Sequence, residues 1–335
     1  MKMLSPFIEG VDIPSTVIDL SRHFPELSMV DAKLEAEFNK HSGPVQEISH
    51  RLLNAGGKRI RPLLACISGR LFQVDPEDVI TCASAIELIH MASLVHDDII
   101  DNSDTRRGMP SVNAAWGNHA AVLTGDFLFA KAFELLSAPH LQPVLKQVVE
   151  AISSMCEGEI EQSLAKGDIN QSETQYLERI NKKTGKLIAV SCSVGALLIG
   201  TEPVKRLSLE DYGKCLGYGF QIIDDVLDFT GDSQSLGKPI GLDLTQGYVT
   251  LPVIKLLEHP AYSDRIKILL HKLPPTAAEM EEIVAALNES GALEQAKQQA
   301  KIFIEMAKEQ LRVFEPSVAV TALSLLADNV LDRID

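Results

Sequence analysis

The sequence predicts an all-α protein, and three observations carry that prediction. Apolar residues recur at three- and four-residue spacing along nearly the whole chain, the period of an amphipathic helix. No convincing stretch of strict apolar–polar alternation, the mark of a half-buried strand, interrupts them. Helix start and stop signals are frequent, and they resolve into about ten or more helices, each longer than the globular mean if loops are few.

In chain order, residues 1–30 read as a partly ordered leader and residues 31–335 as one helical domain. The opening MKMLSPFIEG lacks the apolar core of a signal peptide. In GGKRIRP at 56–62, Gly56-Gly57 reads as a helix stop and Pro62 as part of the next helix's first turn. Asp75-Pro76-Glu77-Asp78 opens a helix that runs into LVHDDIIDNSDTRRG at 94–108, and residues 101–113 form the first long loop. The apolar stretch LIAVSCSVGALLIG at 187–200 is shorter than the roughly 20 residues that span a bilayer, so it reads as a buried helix. Ser208-Leu209-Glu210-Asp211 reads as the start of the helix carrying GYGFQIIDDVLDF at 217–229. Residues 230–251, with four glycines and a proline, form the second long loop, and loops of that length in a compact domain are usually functional. Pro275-Thr276 opens a helix in the C-terminal region.

Composition excludes some functions. With 46 acidic against 31 basic residues the net charge is -15, and no basic stripe appears. That argues against nucleic acid as a partner, and leaves at most transient contact with an anionic membrane. The five cysteines are scattered without a C-x-x-C pair, which fits a reduced, cytoplasmic protein better than a disulfide framework or zinc site.

The chemistry lies in the acids. On a helix, Asp97 and Asp101 share a face, while Asp98 is displaced by about 100°. The same face continues back through Ser93, His90, Ile89 and Ile86, apolar at its base and carboxylate at its mouth. Asp224, Asp225 and Asp228 repeat the D-D-x-x-D spacing, with Gln221 on the same stripe. One such motif is weak evidence. Two inside core-like helices are strong, because buried acid clusters are costly unless cations sit between them. Mg²⁺ takes one or two carboxylates and completes its shell with water and substrate phosphates. Lys58, Arg59 and Arg61 flank a helix N-terminus, a natural anion site. Arg106, Arg107, Lys183, Thr184 and Lys238 add candidate phosphate contacts, each singly more ordinary as a surface residue. For His90, a satisfied core histidine and a ligand contact both stand open. The inventory implies two anionic groups, one gripped through metal and one by basic side chains.

In order, GGKRIRP, HDDIIDNSDTRRG, KKTG, GFQIIDDVLDF and GKPIGLDLTQGYVTLP resemble the trans-polyprenyl diphosphate synthases, across roughly residues 45–333. The resemblance implies an all-α helical bundle around a central substrate cavity, the isoprenoid synthase type. It implies Mg²⁺-dependent, head-to-tail condensation of isopentenyl diphosphate onto an allylic diphosphate such as farnesyl diphosphate. On the matching positions, Asp97, Asp101, Asp224 and Asp228 would hold Mg²⁺, with Asp98 and Asp225 supporting them. Arg106, Lys183, Thr184, Gln221 and Lys238 would hold the allylic diphosphate. Lys58, Arg61, His90 and Arg107 would hold isopentenyl diphosphate. A homodimer is implied.

Short-chain members of that family carry bulky aromatics where this chain has Ala92 and Ser93. With Ile89 and Ile86 deeper on the helix, the four form the expected chain-length floor. Small residues there imply a long-chain product, hexaprenyl or longer, of the kind used for quinone side chains. Family members often have lysine where this chain has Tyr248, which leaves open a catalytic subunit that needs a smaller partner. A shorter-chain, geranylgeranyl synthase is the other alternative. A class I terpene cyclase has no second diphosphate substrate to require GGKRIRP. A non-catalytic partner subunit tends to lose aspartates, whereas all six are present here. An acidic scaffold would leave the ordered basic motifs unexplained.

Overall fold

A computed structural model describes residues 23–230, 240–272 and 274–332. The described residues are almost entirely helical, as the periodicity predicts. The helices are α1 (Glu26–Phe38), α2 (Pro44–Asn54), α3 (Ile60–Leu71), α4 (Pro76–Ile100), α5 (Val112–Leu135), α6 (Gln142–Leu164) and α7 (Glu173–Ile180). There follow α8 (Lys186–Ile199), α9 (Pro203–Thr230), α10 (Leu242–Thr245), α11 (Leu251–Glu258), α12 (Ser263–Leu269), α13 (Ala277–Glu289), α14 (Ala292–Gln310) and α15 (Val318–Leu331). A minimal antiparallel hairpin pairs β1 (Thr105–Arg106) with β2 (Met109–Pro110) inside the first expected loop. The helix α1 begins within the segment expected as a leader.

By contact the chain forms two compact units. The first holds the described residues up to Ile152 together with Val190–Glu210 and Val313–Leu325. The second holds Ser153–Ala189, the described residues between Asp211 and Arg312, and those from Leu326 on. The chain passes between units inside α6, α8, α9 and α15, and once between α14 and α15, which is why no linker composition marks a division.

The first unit is organised by α4, which packs against α1, α3 and α5. Asp75 caps it by accepting from the Glu77 amide at 3.0 Å, with Pro76 in the first turn. Its length and composition would suit a membrane span, but 72% of its apolar stretch is buried inside the protein. It is the core helix of this unit. Gly69 and Gly125 allow the close approaches: a Cβ on Gly69 would meet Val79 at 2.3 Å, and one on Gly125 would meet His96 at 2.1 Å.

In the second unit α9 lies tightly against the chain around Gly185. Gly213 and Gly217, one helical turn apart, face the Ala189 and Gly185 backbones, where a Cβ would sit 2.6 and 2.8 Å away. The expected helix start at Ser208 is corrected: α9 runs unbroken from Pro203, and Ser208 is a buried interior residue. The S-x-x-D spacing mimics a cap, but Pro203 in the first turn supplies the real start. The expected start at Thr276 is where α13 begins, with a reciprocal Thr276–Glu279 capping box.

Candidate active site

Each unit carries one of the two acidic motifs. In the first, Asp97 and Asp98 occupy the last turn of α4 and Asp101 caps its end, its amide donating to the Asp97 carbonyl at 2.8 Å. Acids at a helix C-terminus oppose the dipole and need compensation. The hairpin provides it. Arg106 Nε donates to both Asp98 carboxylate oxygens at 2.8 and 2.9 Å, and its Nη2 lies 2.7 Å from Oδ1. Asp98 is only 3% exposed, so this fork satisfies a carboxylate that could not otherwise be buried. Asp97 and Asp101 are half-buried. Arg106, expected on the allylic diphosphate, is thus engaged with the supporting aspartate here.

The basic motif divides by role. Arg59 takes a left-handed backbone conformation and turns back into the protein. It bonds Asp31 at 2.9 Å, the buried Glu87 at 2.7 Å and the Leu53 carbonyl at 3.1 Å. Arg59 therefore anchors the loop, while its neighbours Lys58 and Arg61 do not share those bonds. Lys58 is exposed. Arg61 has a buried Nε without a hydrogen-bond partner, and burial lowers its pKa, with Glu87 partly offsetting. Burial also holds the His90 imidazole well below the usual histidine range, and Arg61, Arg107, Arg106 and Arg59 push the same way. Several guanidinium groups around one neutral ring make an environment that favours an anion.

Gly57 ties the basic motif to the arginine pair. A Cβ on Gly57 would come 2.7 Å from Arg107 Nη1. The second glycine of GGKRIRP, expected only to stop a helix, makes room for the Arg107 guanidinium. Gly57→Ala should therefore displace Arg107 and weaken binding of an anion at the basic motif about tenfold, the scale of one charge-assisted contact. Calorimetric titration of both proteins with inorganic diphosphate, beside thermal melts, would check the loss.

Of the four expected floor residues, Ala92, Ile89 and Ile86 are fully buried, whereas Ser93 is half-buried and donates its hydroxyl to the His90 carbonyl at 2.9 Å.

In the second unit, Asp225 is 2% exposed and both its oxygens are taken. Tyr176 Oη donates to Oδ2 at 2.6 Å, and Gln221 Nε2 donates to Oδ1 at 3.0 Å. Burial pushes the Asp225 carboxyl well above its usual range and nearby Asp243 adds to this, while the two hydrogen bonds pull the other way. The two middle aspartates, Asp98 and Asp225, are thus both buried and both satisfied by internal donors. Asp228 accepts from the Leu242 and Asp243 amides at 3.2 Å each, which ties α9 to α10. Asp224 stands half-buried beside Asp225.

Gln221, expected to contact the diphosphate, here accepts a bond from Thr184 at 3.3 Å while holding Asp225. The KKTG segment forms a single wider π turn, Asn181–Gly185. Lys183 Nζ lies 2.6 Å from Glu159, a pair for which a diphosphate would compete. Lys238 lies outside the described residues. Sequence reasoning missed Tyr176, Glu87 and Arg59's anchoring role. A buried tyrosine donor leaves no local pattern to read.

Among the described residues, no group of three or more His, Cys, Asp or Glu side chains could hold a metal ion. The candidate donors, Asp97 with Asp101 and Asp224 with Asp228, are all carboxylates spaced four residues apart, a chemistry that suits a hard cation whose shell is completed by water and phosphate. The residues fit Mg²⁺ on those terms.

Residues 43–287 match the family model described as polyprenyl synthetase. The chain is 39% identical over 322 residues to a short chain isoprenyl diphosphate synthase of Methanothermobacter thermautotrophicus, covering 95% of this chain and 98% of that one. It is 43% identical over 275 residues to heptaprenyl diphosphate synthase component 2 of Geobacillus stearothermophilus, covering 81% and 84%. Among solved structures it resembles polyprenyl synthase from Caulobacter crescentus CB15, complexed with calcium and isoprenyl diphosphate. That match has a TM-score of 0.87 at 33% identity and covers 95% of this chain and 98% of that one. Fold and site together define a prenyltransferase built on the all-α isoprenoid synthase fold. The chain belongs to the polyprenyl synthetase family.

Proposed function

We propose that this enzyme carries out Mg²⁺-dependent, head-to-tail condensation of isopentenyl diphosphate onto an allylic diphosphate, releasing a long-chain all-trans polyprenyl diphosphate. The observation that carries the reading is the doubled design of the acidic motifs. Each sits on a long helix, and each buries its middle aspartate against internal donors.

Asp97 and Asp101 in the first unit, and Asp224 and Asp228 in the second, would each offer carboxylates to Mg²⁺, which when bound supplies Lewis acidity toward the leaving diphosphate. Lys183, Thr184 and Gln221 bind the allylic diphosphate. Lys58, Arg61, His90 and Arg107 bind isopentenyl diphosphate, with the neutral imidazole adding a hydrogen bond but no further charge. The allylic C–O bond breaks and diphosphate leaves with the electron pair. The isopentenyl double bond then forms the new C–C bond, and the proton lost in the last step passes to the departed diphosphate. No nucleophilic side chain is required.

Ser93, small and half-buried one turn before Asp97, supports a tail passing along that face, hence a product of hexaprenyl length or more for quinone side chains. Five free thiols, four of them buried, support a reducing, cytoplasmic setting.

A second reading is favoured by the relative named as component 2: a catalytic subunit that needs a smaller partner. One experiment separates them. The purified chain is given Mg²⁺, farnesyl diphosphate and labelled isopentenyl diphosphate, and the products are sized. A single long product supports the self-sufficient synthase, a short one overturns the length assignment, and none from folded protein favours the two-component reading.

A further inference from the structure

The turn after α6 carries an exposed lysine, Lys166, whose position is fixed by its neighbours. The Gly167 amide donates to the Gly247 carbonyl at 2.8 Å. Gly247 has φ 92°, and a Cβ there would lie 3.0 Å from Lys166 Cγ and 3.2 Å from Cε. The lysine stem therefore lies across bare glycine backbone, and its Nζ reaches 5.7 Å from the centre of the Tyr248 ring. Tyr248 is itself tied to the second acidic motif. Its amide donates to the Asp243 carbonyl at 2.8 Å, and the Asp243 amide donates to the Asp228 carboxylate at 3.2 Å.

The nearby lysines differ from it. Lys182 is ion-paired with Glu161, and Lys183 with Glu159. Among the described residues no carboxylate pairs with Lys166. An exposed ammonium over a ring face is held weakly, and phosphate oxygens offer it stronger, charge-assisted bonds.

We infer that Lys166 binds phosphoryl oxygens of the allylic substrate at the second aspartate motif, with Tyr248 as the residue that positions it. Position 248 then contributes a platform for a cation that arrives from another segment. The inference rests on the function proposed above. It names a phosphate contact that no sequence motif announces, because Lys166 and Tyr248 lie some eighty positions apart.

The test uses the full chain and Lys166→Gln, Lys166→Arg, Tyr248→Leu and the Lys166→Gln/Tyr248→Leu double variant. Isothermal titration with inorganic diphosphate in excess Mg²⁺ is read beside steady-state kinetics, and thermal melts check folding. Lys166→Gln should weaken diphosphate binding and raise the farnesyl diphosphate KM about tenfold, the scale of one charge-assisted bond. The isopentenyl diphosphate KM should stay within about twofold, since those contacts lie on other side chains. Lys166→Arg should retain most of the affinity. Tyr248→Leu should show part of the loss, and the double variant should be no worse than Lys166→Gln, because the two act as one unit. Unchanged diphosphate affinity in Lys166→Gln overturns the inference, as does an equal rise in both KM values with a lowered melting point. Absence of condensation by the unmodified chain counts against the proposed function instead, and the diphosphate titration still decides the role of Lys166.

Discussion

Asp97→Ala is expected to lower turnover by about 10²–10³-fold or more, the scale seen when one preorganised electrostatic group is removed from a reaction centre. Its far-UV circular dichroism should stay at the level of the unmodified chain. Asp97 is half-buried in the last turn of α4, and alanine is the best helix former, so the helix persists. The adjacent Asp98→Ala should behave in the opposite way. It strips Arg106 of a carboxylate that is 3% exposed and held by a bidentate fork. Breaking a fully buried pair costs about 3–5 kcal/mol, and with Arg106 itself 32% exposed a loss of about 1–3 kcal/mol is the scale to expect. Neighbouring residues of one chemistry thus separate into an activity signature and a stability signature. Asp224 and Asp225 should repeat the contrast, because Tyr176 and Gln221 hold Asp225 as Arg106 holds Asp98. Near-normal turnover in Asp97→Ala or Asp224→Ala would sink the metal assignment.

That contrast also marks where the sequence could and could not be read. Helical periodicity needs only nearest neighbours along the chain, so α4, α8 and α13 are legible in the sequence, with the starts of α4 and α13 marked by their caps. The D-D-x-x-D spacing was legible for the same reason. What spacing cannot show is which oxygen of which aspartate is already bonded. Asp97 and Asp98 differ only in the direction their side chains leave the helix, and the partner that distinguishes them arrives from a two-residue hairpin. Tyr176 reaches Asp225 across 49 positions, and Arg59 reaches Glu87 across 28. By sequence Gly57 is a local stop, whereas in the fold the nearby Arg107 guanidinium is what excludes a side chain there. The false helix start at Ser208 has the converse cause: a local capping pattern overridden by a helix already running from Pro203.

Product length offers the sharpest separation of two residues that the sequence treated alike. Ser93→Phe is expected to shorten the product to one of a few isoprene units while leaving the melting temperature near that of the unmodified chain. Ala92→Phe is expected chiefly to destabilise. Ala92 is fully buried in close-packed surroundings, and forcing a ring into such a site typically costs about 1–3 kcal/mol. Ser93 is half-buried, so a ring there is not forced into a closed core. The serine gives up only its bond to the His90 carbonyl, and that carbonyl keeps its place in the helix ladder. That outcome would assign the floor to Ser93 and leave the fully buried Ala92, Ile89 and Ile86 to the packed core. Sizing labelled products from both variants, alongside thermal melts, checks the division. A full-length product from folded Ser93→Phe would show that the growing chain takes another route, and the small side chain at 93 would then say nothing about length.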